Sequence, residues 1–361
     1  MKATVITEHG APEVLQVQEL PNPVAADGEV LIRVKAFGIN HAETHMRKGE
    51  WPESTPISGI EAVGTVVSDR SGRLAEGAKV LTIMGGLGRT RNGSYAEYTV
   101  AAAANVAEIE SSLSWTDLAA IPESYATAWV GLTDNLALES GQTLLVRGAT
   151  SALGQAAINI AADLGAKVLA TTRREDRAEL LRSIGASEVV IEAGRIAGAV
   201  RELVPGGVDG VLDLVGNSVL RDSLQAVRAK GRVCQAGFLG GLGPVDQFLP
   251  VVDMPSGVQF SFFGSFELGT NNYPLSQVPF QEIVSNVERG IYKAEPSRVF
   301  KFAQIPDAHR VMESGEAGGK LVVEAARGSV RGAPRRAPRR PSGARPPHRF
   351  AVGELVLAGA R

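Results

Sequence analysis

This 361-residue chain has a single cysteine, Cys234. One thiol excludes an internal disulfide and any cluster of thiolate metal ligands. Set in the apolar run from Gly231 to Phe238, it reads as an inert buried side chain. Long apolar runs are also missing. No segment approaches the roughly 20 residues needed to cross a bilayer, and Met1-Lys-Ala-Thr-Val-Ile6 reads as a strand and not as a signal peptide. A globular cytoplasmic protein is expected. With 44% hydrophobic and 21% charged residues, the chain can bury a full core and, at this length, form two domains.

The near absence of net charge, −2, conceals an asymmetry. Residues 328–361 hold eight arginines and one acid, Glu354, which leaves 29 basic and 38 acidic side chains in 1–327, a net of −9. The run Arg331-Gly-Ala-Pro-Arg-Arg-Ala-Pro-Arg-Arg-Pro-Ser-Gly343 has too little apolar content to offset ordering entropy, which predicts a disordered basic tail over 327–361. Two readings are open for it: an arm for polyanions, or a solubilising extension beyond a domain that closes with Gly319-Lys-Leu-Val-Val-Glu324.

Glycine is scarce where a nucleotide site would use it. The run Thr143-Leu-Leu-Val-Arg-Gly-Ala-Thr-Ser-Ala-Leu-Gly154 joins an apolar strand to a helix through a tight turn, as a dinucleotide-binding βαβ unit begins. Against G-x-G-x-x-G the key positions are Ala149, Ser151 and Gly154, so only the last glycine is kept. The segment Ala149, Thr150, Ser151, Ala152, Leu153 and Gly154 is expected to cradle a pyrophosphate, whose charge suits the free N–H groups and positive dipole end of the following helix. An acid is missing too. The strand Lys167-Val-Leu-Ala-Thr-Thr172 ends where a carboxylate for the ribose hydroxyls usually stands, and runs instead into Arg173 and Arg174. Two planar guanidiniums suit a 2′-phosphate, so Thr172, Arg173 and Arg174 make NADPH the expected cofactor. The alternative is a solvated helix-start pair neutralised by Glu175 and Asp176.

Short β-type runs at Ala3 to Ile6, Val14 to Glu19, Val30 to Phe37, Ala62 to Ser68, Lys79 to Ile83 and Ser94 to Val100, punctuated by proline and glycine, predict an irregular, mostly antiparallel barrel-like domain. A helical pattern follows from about Ser112, including Ala126 to Leu138. Strands at 143–147, 167–172, 188–191, 210–214, 232–236 and 259–263, separated by helices near 152–164, 176–184, 195–203 and 219–228, predict a doubly wound parallel sheet of the α/β class. After a helix at Pro279 to Arg289, the final strand Lys320 to Glu324 does not extend that sheet economically. Its return to the first domain predicts a split catalytic domain, 1–120 plus 268–326, with a nucleotide-binding domain, 121–267, inserted.

In this order of barrel, βαβ sheet and barrel, the chain resembles the medium-chain dehydrogenase/reductase superfamily, and within it the zinc-free quinone oxidoreductase branch. The resemblance covers 1–326. Besides the glycine-poor turn it rests on Val34-Lys-Ala-Phe-Gly-Ile-Asn40, Ile57-Ser-Gly-Ile-Glu-Ala-Val-Gly-Thr-Val66 and Arg232-Val-Cys-Gln-Ala-Gly-Phe-Leu-Gly240. It implies a Rossmann sheet, a GroES-like catalytic domain and a homodimer joined through an edge strand at 259–266. It implies further that Thr127 lies near the cofactor phosphates or nicotinamide, that Gly237, Phe238, Leu239, Phe263 and Gly264 line the nicotinamide half, and that Lys320 is a cofactor contact from the final strand.

The branch is argued from missing chemistry. Zinc alcohol dehydrogenases of this superfamily have a cysteine where this chain has Asn40, and Gly-His-Glu where it has Gly59-Ile60-Glu61. A catalytic zinc site needs three protein ligands around an open position, and neither Asn40 nor Ile60 serves. The four-cysteine structural zinc lobe is absent as well. No metal is expected, and Glu61 is left as a structural carboxylate. His41 and His45 stand four apart, a metal-ligand spacing on a helix, with no third ligand evident. Without a Lewis acid, hydride addition suits acceptors that delocalise negative charge themselves: quinones and α,β-unsaturated carbonyls.

The resemblance puts Asn40 near the nicotinamide and the acceptor; its residue type also suits a cap for a helix beginning near Ala42. Where the branch often has a tyrosine this chain has His45, whose imidazole is the expected local proton donor. Tyr95 is either a second donor or a packing residue. The expected function is zinc-independent reduction of a small-molecule quinone or enone by NADPH. An enoyl-thioester reductase would use the same chemistry. From a different class, a cofactor-binding protein with weak turnover and nucleic-acid association through the basic tail is the alternative.

Overall fold

The alternating apolar residues of Glu29–Ile39 form one long strand, and the first sheet is built around it. The computed structural model describes residues 1–51 and 53–326; the tail expected to be disordered, 327–361, lies outside the described residues. In chain order the elements begin with β1 (Lys2–Ile6), β2 (Leu15–Glu19), β3 (Glu29–Ile39), α1 (His41–Lys48), β4 (Glu61–Asp69), β5 (Lys79–Ile83), β6 (Tyr98–Ala102) and β7 (Val106–Glu108). Helices α2 (Trp115–Leu118) and α3 (Pro122–Val130) lead to the second sheet. There the chain alternates β8 (Thr143–Arg147), α4 (Ala152–Asp163), β9 (Lys167–Thr172), α5 (Ala178–Ser183), β10 (Glu188–Ile191), α6 (Ala197–Leu203), β11 (Val208–Asp213), α7 (Leu220–Ala226) and β12 (Val227–Gln235). It continues through α8 (Pro250–Asp253), β13 (Gln259–Phe262), α9 (Phe280–Glu288), β14 (Arg298–Lys301), α10 (Ile305–Glu313) and β15 (Leu321–Glu324).

The second sheet is parallel throughout, with order β10-β9-β8-β11-β12-β13. Strand order therefore reverses between β8 and β11, and the crevice beyond their carboxyl ends is where such sheets bind ligands. The first sheet has order β14-β15-β3-β4-β5-β7, with β6 also on β3, and is antiparallel except for the pair β14 and β15. The closing strand does return to it: β15 pairs antiparallel with β3, Leu321 opposite Ile39, and this register brings Lys320 beside Asn40. One apolar cluster joins the two sheets, with Ala36, Ile83 and Val322 from the first, Val146 and Leu212 from the second, and Ile158 from α4.

Several elements differ from expectation. Ser94 and Tyr95 are not strand; their N–H groups bond to the carbonyls of Gly59 and Ser58 at 3.1 and 3.0 Å, so the chain is folded onto that loop before β6 starts. The expected helix over 126–138 stops at Val130, where Gly131–Asn135 widens into a π-turn closed by Leu136 N–H on Gly131 O at 3.0 Å. The helix over 219–228 ends at Ala226 because β12 already begins at Val227 and crosses an irregularity in its pairing with β11.

Candidate functional site

The turn after β8 is set by Ser151. Its Oγ accepts the N–H of Gly154 at 3.1 Å and donates to Gly148 O at 2.9 Å, capping α4. Gly154 is required by space: a Cβ there would meet Ala149 Cα at 2.6 Å and Gly148 O at 2.7 Å. Serine takes only one of the helix's first N–H groups, so those of Ala152 and Leu153 are left to an anion at this end. The donor set fits a pyrophosphate. Ala149 itself is fully buried, packed against Gly154.

Below the turn, Arg147 is fully buried. Its Nη2 lies 2.6 Å from Glu192 Oε1 and its Nη1 2.9 Å from Asp222 Oδ2, and it donates further to Gly194 O and Ser223 Oγ. Asp213, closing β11, accepts from Ser223 Oγ at 2.6 Å and from the N–H of Gly216 at 2.8 Å; burial pushes its carboxyl up. These contacts fix the floor of the crevice.

At the end of β9, Thr172 is buried and its Oγ accepts the N–H of Arg174 at 3.1 Å. Arg173 and Arg174 are exposed. Arg174 Nε donates to Asp176 Oδ1 at 2.9 Å, and its Nη2 holds the other oxygen, so this arginine is already partnered as the alternative reading expects. Gln155 Nε2 donates to Gly318 O at 3.1 Å, drawing the segment before β15 over the start of α4.

A second cluster is buried between the sheets. Lys320 Nζ lies 2.5 Å from Glu61 Oε1 and donates to Asn40 Oδ1 at 2.6 Å, while Asn40 Nδ2 donates to the same Glu61 oxygen at 2.9 Å. Gly38 makes room for this, since a Cβ there would meet Glu61 Oε1 and Lys320 Cε, each at 2.3 Å. The other Glu61 oxygen accepts the N–H of Glu123 at 2.9 Å, and Thr127 Oγ donates to Glu123 Oε1 at 3.1 Å. Burial raises the Glu123 carboxyl against the pull of Lys320, and Lys320 itself is raised because nearby carboxylates outweigh its burial.

Asn40 occupies the N-cap position of α1, but its amide is turned toward Glu61 and Lys320, and Glu43 Oε2 accepts its backbone N–H at 2.5 Å. Glu43 also accepts from Ile60 N–H at 3.0 Å and Tyr95 Oη at 3.0 Å. Burial, aided by Glu61, pushes Glu43 up to about 7. The chain continues through Tyr95 Oη to His309 Nε2 at 3.0 Å and ends with Arg47 on Glu313 at 2.7 Å. Burial and Arg47 lower His309 to about 3.

A row of aromatic rings runs from α1 toward the carboxyl ends of β12 and β13. His45 and Trp51 have centroids 6.3 Å apart, Trp51 and Phe266 6.3 Å, Phe266 and Phe262 6.5 Å, and Phe262 and Phe238 5.6 Å. Phe266 also walls a cavity of about 410 Å³, where Arg89 sits 5.1 Å over its ring and pairs with Glu53 at 2.9 Å.

The structure thus brings Asn40 and Lys320 into one network with Thr127 at its margin, and puts Phe238 and His45 at opposite ends of one aromatic row. Gly237, Leu239 and Gly264 follow β12 and β13 at the same edge. The Phe263 ring is buried against Tyr273, and its N–H bonds to Gln235 O at 2.9 Å. Sequence reading missed Glu43 and Glu123, ordinary first-turn acids until tertiary structure buries the first and half-buries the second, and Trp51, Phe262 and Phe266, which share no periodicity. Among the described residues no group of three or more His, Cys, Asp or Glu is arranged to hold a metal, and Ile60 packs in the core.

Residues 26–111 match the alcohol dehydrogenase GroES-like domain and residues 152–276 the zinc-binding dehydrogenase family. Among curated relatives, the quinone oxidoreductase of Homo sapiens is 32% identical over 248 residues, covering 66% of this chain and 74% of that protein. Among solved structures, Escherichia coli quinone oxidoreductase complexed with NADPH has a TM-score of 0.81 at 23% identity, covering 90% of this chain and 100% of the other, a likeness of fold. An NAD-dependent alcohol dehydrogenase has a TM-score of 0.78 at 29% identity, with 90% and 100% covered. The chain belongs to the medium-chain dehydrogenase/reductase superfamily, in its quinone oxidoreductase branch.

Proposed function

We propose that this protein reduces quinones or α,β-unsaturated carbonyls with NADPH, without a metal. The observation that carries the reading is the aromatic row from His45 through Trp51, Phe266 and Phe262 to Phe238, which offers a planar acceptor faces to stack on where the two sheets meet. The pyrophosphate belongs on the Ala149 to Gly154 turn, the 2′-phosphate on Arg173 with Arg174, and the nicotinamide half along Gly237, Phe238, Leu239 and the backbone of Phe263 and Gly264. Bound there, NADPH supplies a hydride from C4 of its nicotinamide. Asn40, with two of its polar directions held by Glu61 and Lys320, keeps one amide N–H to orient the nicotinamide or the acceptor oxygen. His45, which opens the row next to Trp51, is the proton donor we assign to an acceptor stacked along it. The domains we assign are 1–120 plus 268–326 for catalysis and 121–267 for the cofactor, and the exposed edge strand β13 is the dimer contact we expect.

A screen of NADPH consumption over quinones, enals and enoyl thioesters tests this. Turnover with quinones or enals, unchanged on deleting 328–361, supports it; turnover confined to enoyl thioesters moves the substrate class. Salt-sensitive nucleic-acid binding that needs 328–361, with no reductase activity, overturns it.

A further inference from the structure

Helix α1 ends in a Schellman motif. Gly49 is left-handed at φ 75°, its N–H bonds to Met46 O at 3.1 Å, and the N–H of Glu50 reaches back to His45 O at 3.0 Å. This closure turns the chain so that the residue after the glycine lies over the residue one turn back. The pair is usually apolar. Here it is Glu50 on His45, with Oε2 2.6 Å from Nδ1. Holding Nδ1–H on a carboxylate selects the tautomer and leaves Nε2 as the nitrogen that can carry the second proton, on a ring whose centroid lies 6.3 Å from that of Trp51 at the start of the aromatic row.

We infer that Glu50 is a positioning residue for proton delivery: it fixes His45 so that Nε2 gives the proton taken up by the reduced acceptor. The inference rests on the proposed reductase reading. Hydride transfer oxidises the nicotinamide and reduces the acceptor to an enolate or hydroquinone anion. The Nε2–H bond of the imidazolium breaks, an O–H or C–H bond forms on that anion, and the neutral imidazole keeps its Nδ1–H on Glu50 until water returns the proton. The other ionisable groups around the pair are His41, one turn earlier on α1, His9, whose ring packs on Gly49, and Arg47 and Lys48, both engaged by Glu313 of α10.

Two measurements test it. In cofactor-free protein, nitrogen NMR of the neutral His45 ring should report the Nδ1–H tautomer in the native chain and a return toward Nε2–H in Glu50→Ala. In turnover, Glu50→Ala should lower kcat about tenfold with KM nearly unchanged, a part of the roughly 10²–10⁴-fold ascribed to acid catalysis as a whole. His45→Ala should fall further and recover with added imidazole. Adding Glu50→Ala to His45→Ala should cost nothing more. Additive losses, no imidazole rescue or an unaltered tautomer would overturn the inference. Absence of any turnover by the native chain would instead defeat the reductase reading, and the tautomer result would still judge the pair.

Discussion

Lys320 Nζ lies 2.5 Å from Glu61 Oε1, and neither side chain is more than 4% exposed. The contact joins the residue just before β15 to β4, and through Asn40 it reaches the first residue before α1. A buried ammonium of this kind is held by its partners, and they are held by it. Removing one member leaves the other charge unpaired in the interior.

Lys320→Met should therefore destabilise the protein by about 3–5 kcal/mol, while Lys320→Met combined with Glu61→Gln should recover a large part of the loss. Urea unfolding of the two variants measures the difference. Equal stabilities would mean that the pair is not coupled.

Glu43 gives a pH signature. Its carboxyl is raised in the folded protein from 4.5 to about 7, so the folded state holds the proton more tightly than the unfolded state. Its contribution to stability is complete below about pH 4.5 and lost as pH rises through 7, to an extent of roughly 3 kcal/mol. The stability of Glu43→Gln relative to the native chain should thus improve from pH 4.5 to 7.5. His309, lowered from 6.5 to about 3, acts in the opposite sense: its contribution is complete above 6.5 and falls away in acid, and the comparison with Glu43→Gln cancels it. A pH-independent difference between the two proteins would contradict the assignment.

Arg147→Met should cost about 3–5 kcal/mol in urea unfolding, because Glu192 and Asp222 lose their common buried partner. Arg147→Lys should not restore it, since one ammonium cannot match two carboxylates and Gly194 O with a planar fork.

Changing Arg173 and Arg174 together to Ala should weaken NADPH about tenfold or more and leave NADH nearly unchanged, because a charged hydrogen bond contributes roughly 1.5–3 kcal/mol. Asp176 already holds Arg174, so Arg173→Ala alone should carry the larger share. Cofactor titration by fluorescence decides it, and equal losses for the two cofactors would rule out a 2′-phosphate site.

The parallel sheet was legible because its signals are local. Strands β8, β9 and β10 have the expected bounds, each an apolar run between turns, and the serine cap of α4 lies next to the helix it starts. Strand β14 was not legible: Arg298–Lys301 is short and mostly exposed, and becomes a strand only because β15 lies beside it. Asn40 was found and its surroundings were not. Glu61 is expected to be structural and Lys320 to touch the cofactor; what the sequence does not show is that the fold ties both to Asn40, across 21 and 280 residues of chain. Such a network has no periodicity to betray it. The aromatic row is of the same kind, assembled from helix α1, loops and an edge strand whose spacing encodes nothing until the sheets pack.

The most direct test of the central claim is to supply NADPH carrying deuterium at the transferable C4 position together with an enal, and to analyse the product by mass spectrometry and NMR. The account predicts one deuterium at the β-carbon, NADPH consumed in equal amount, and the same result in the presence of a strong chelator. Protein that binds NADPH but leaves it unoxidised with every quinone and enal tried, or that transfers deuterium only when zinc is restored, would contradict it.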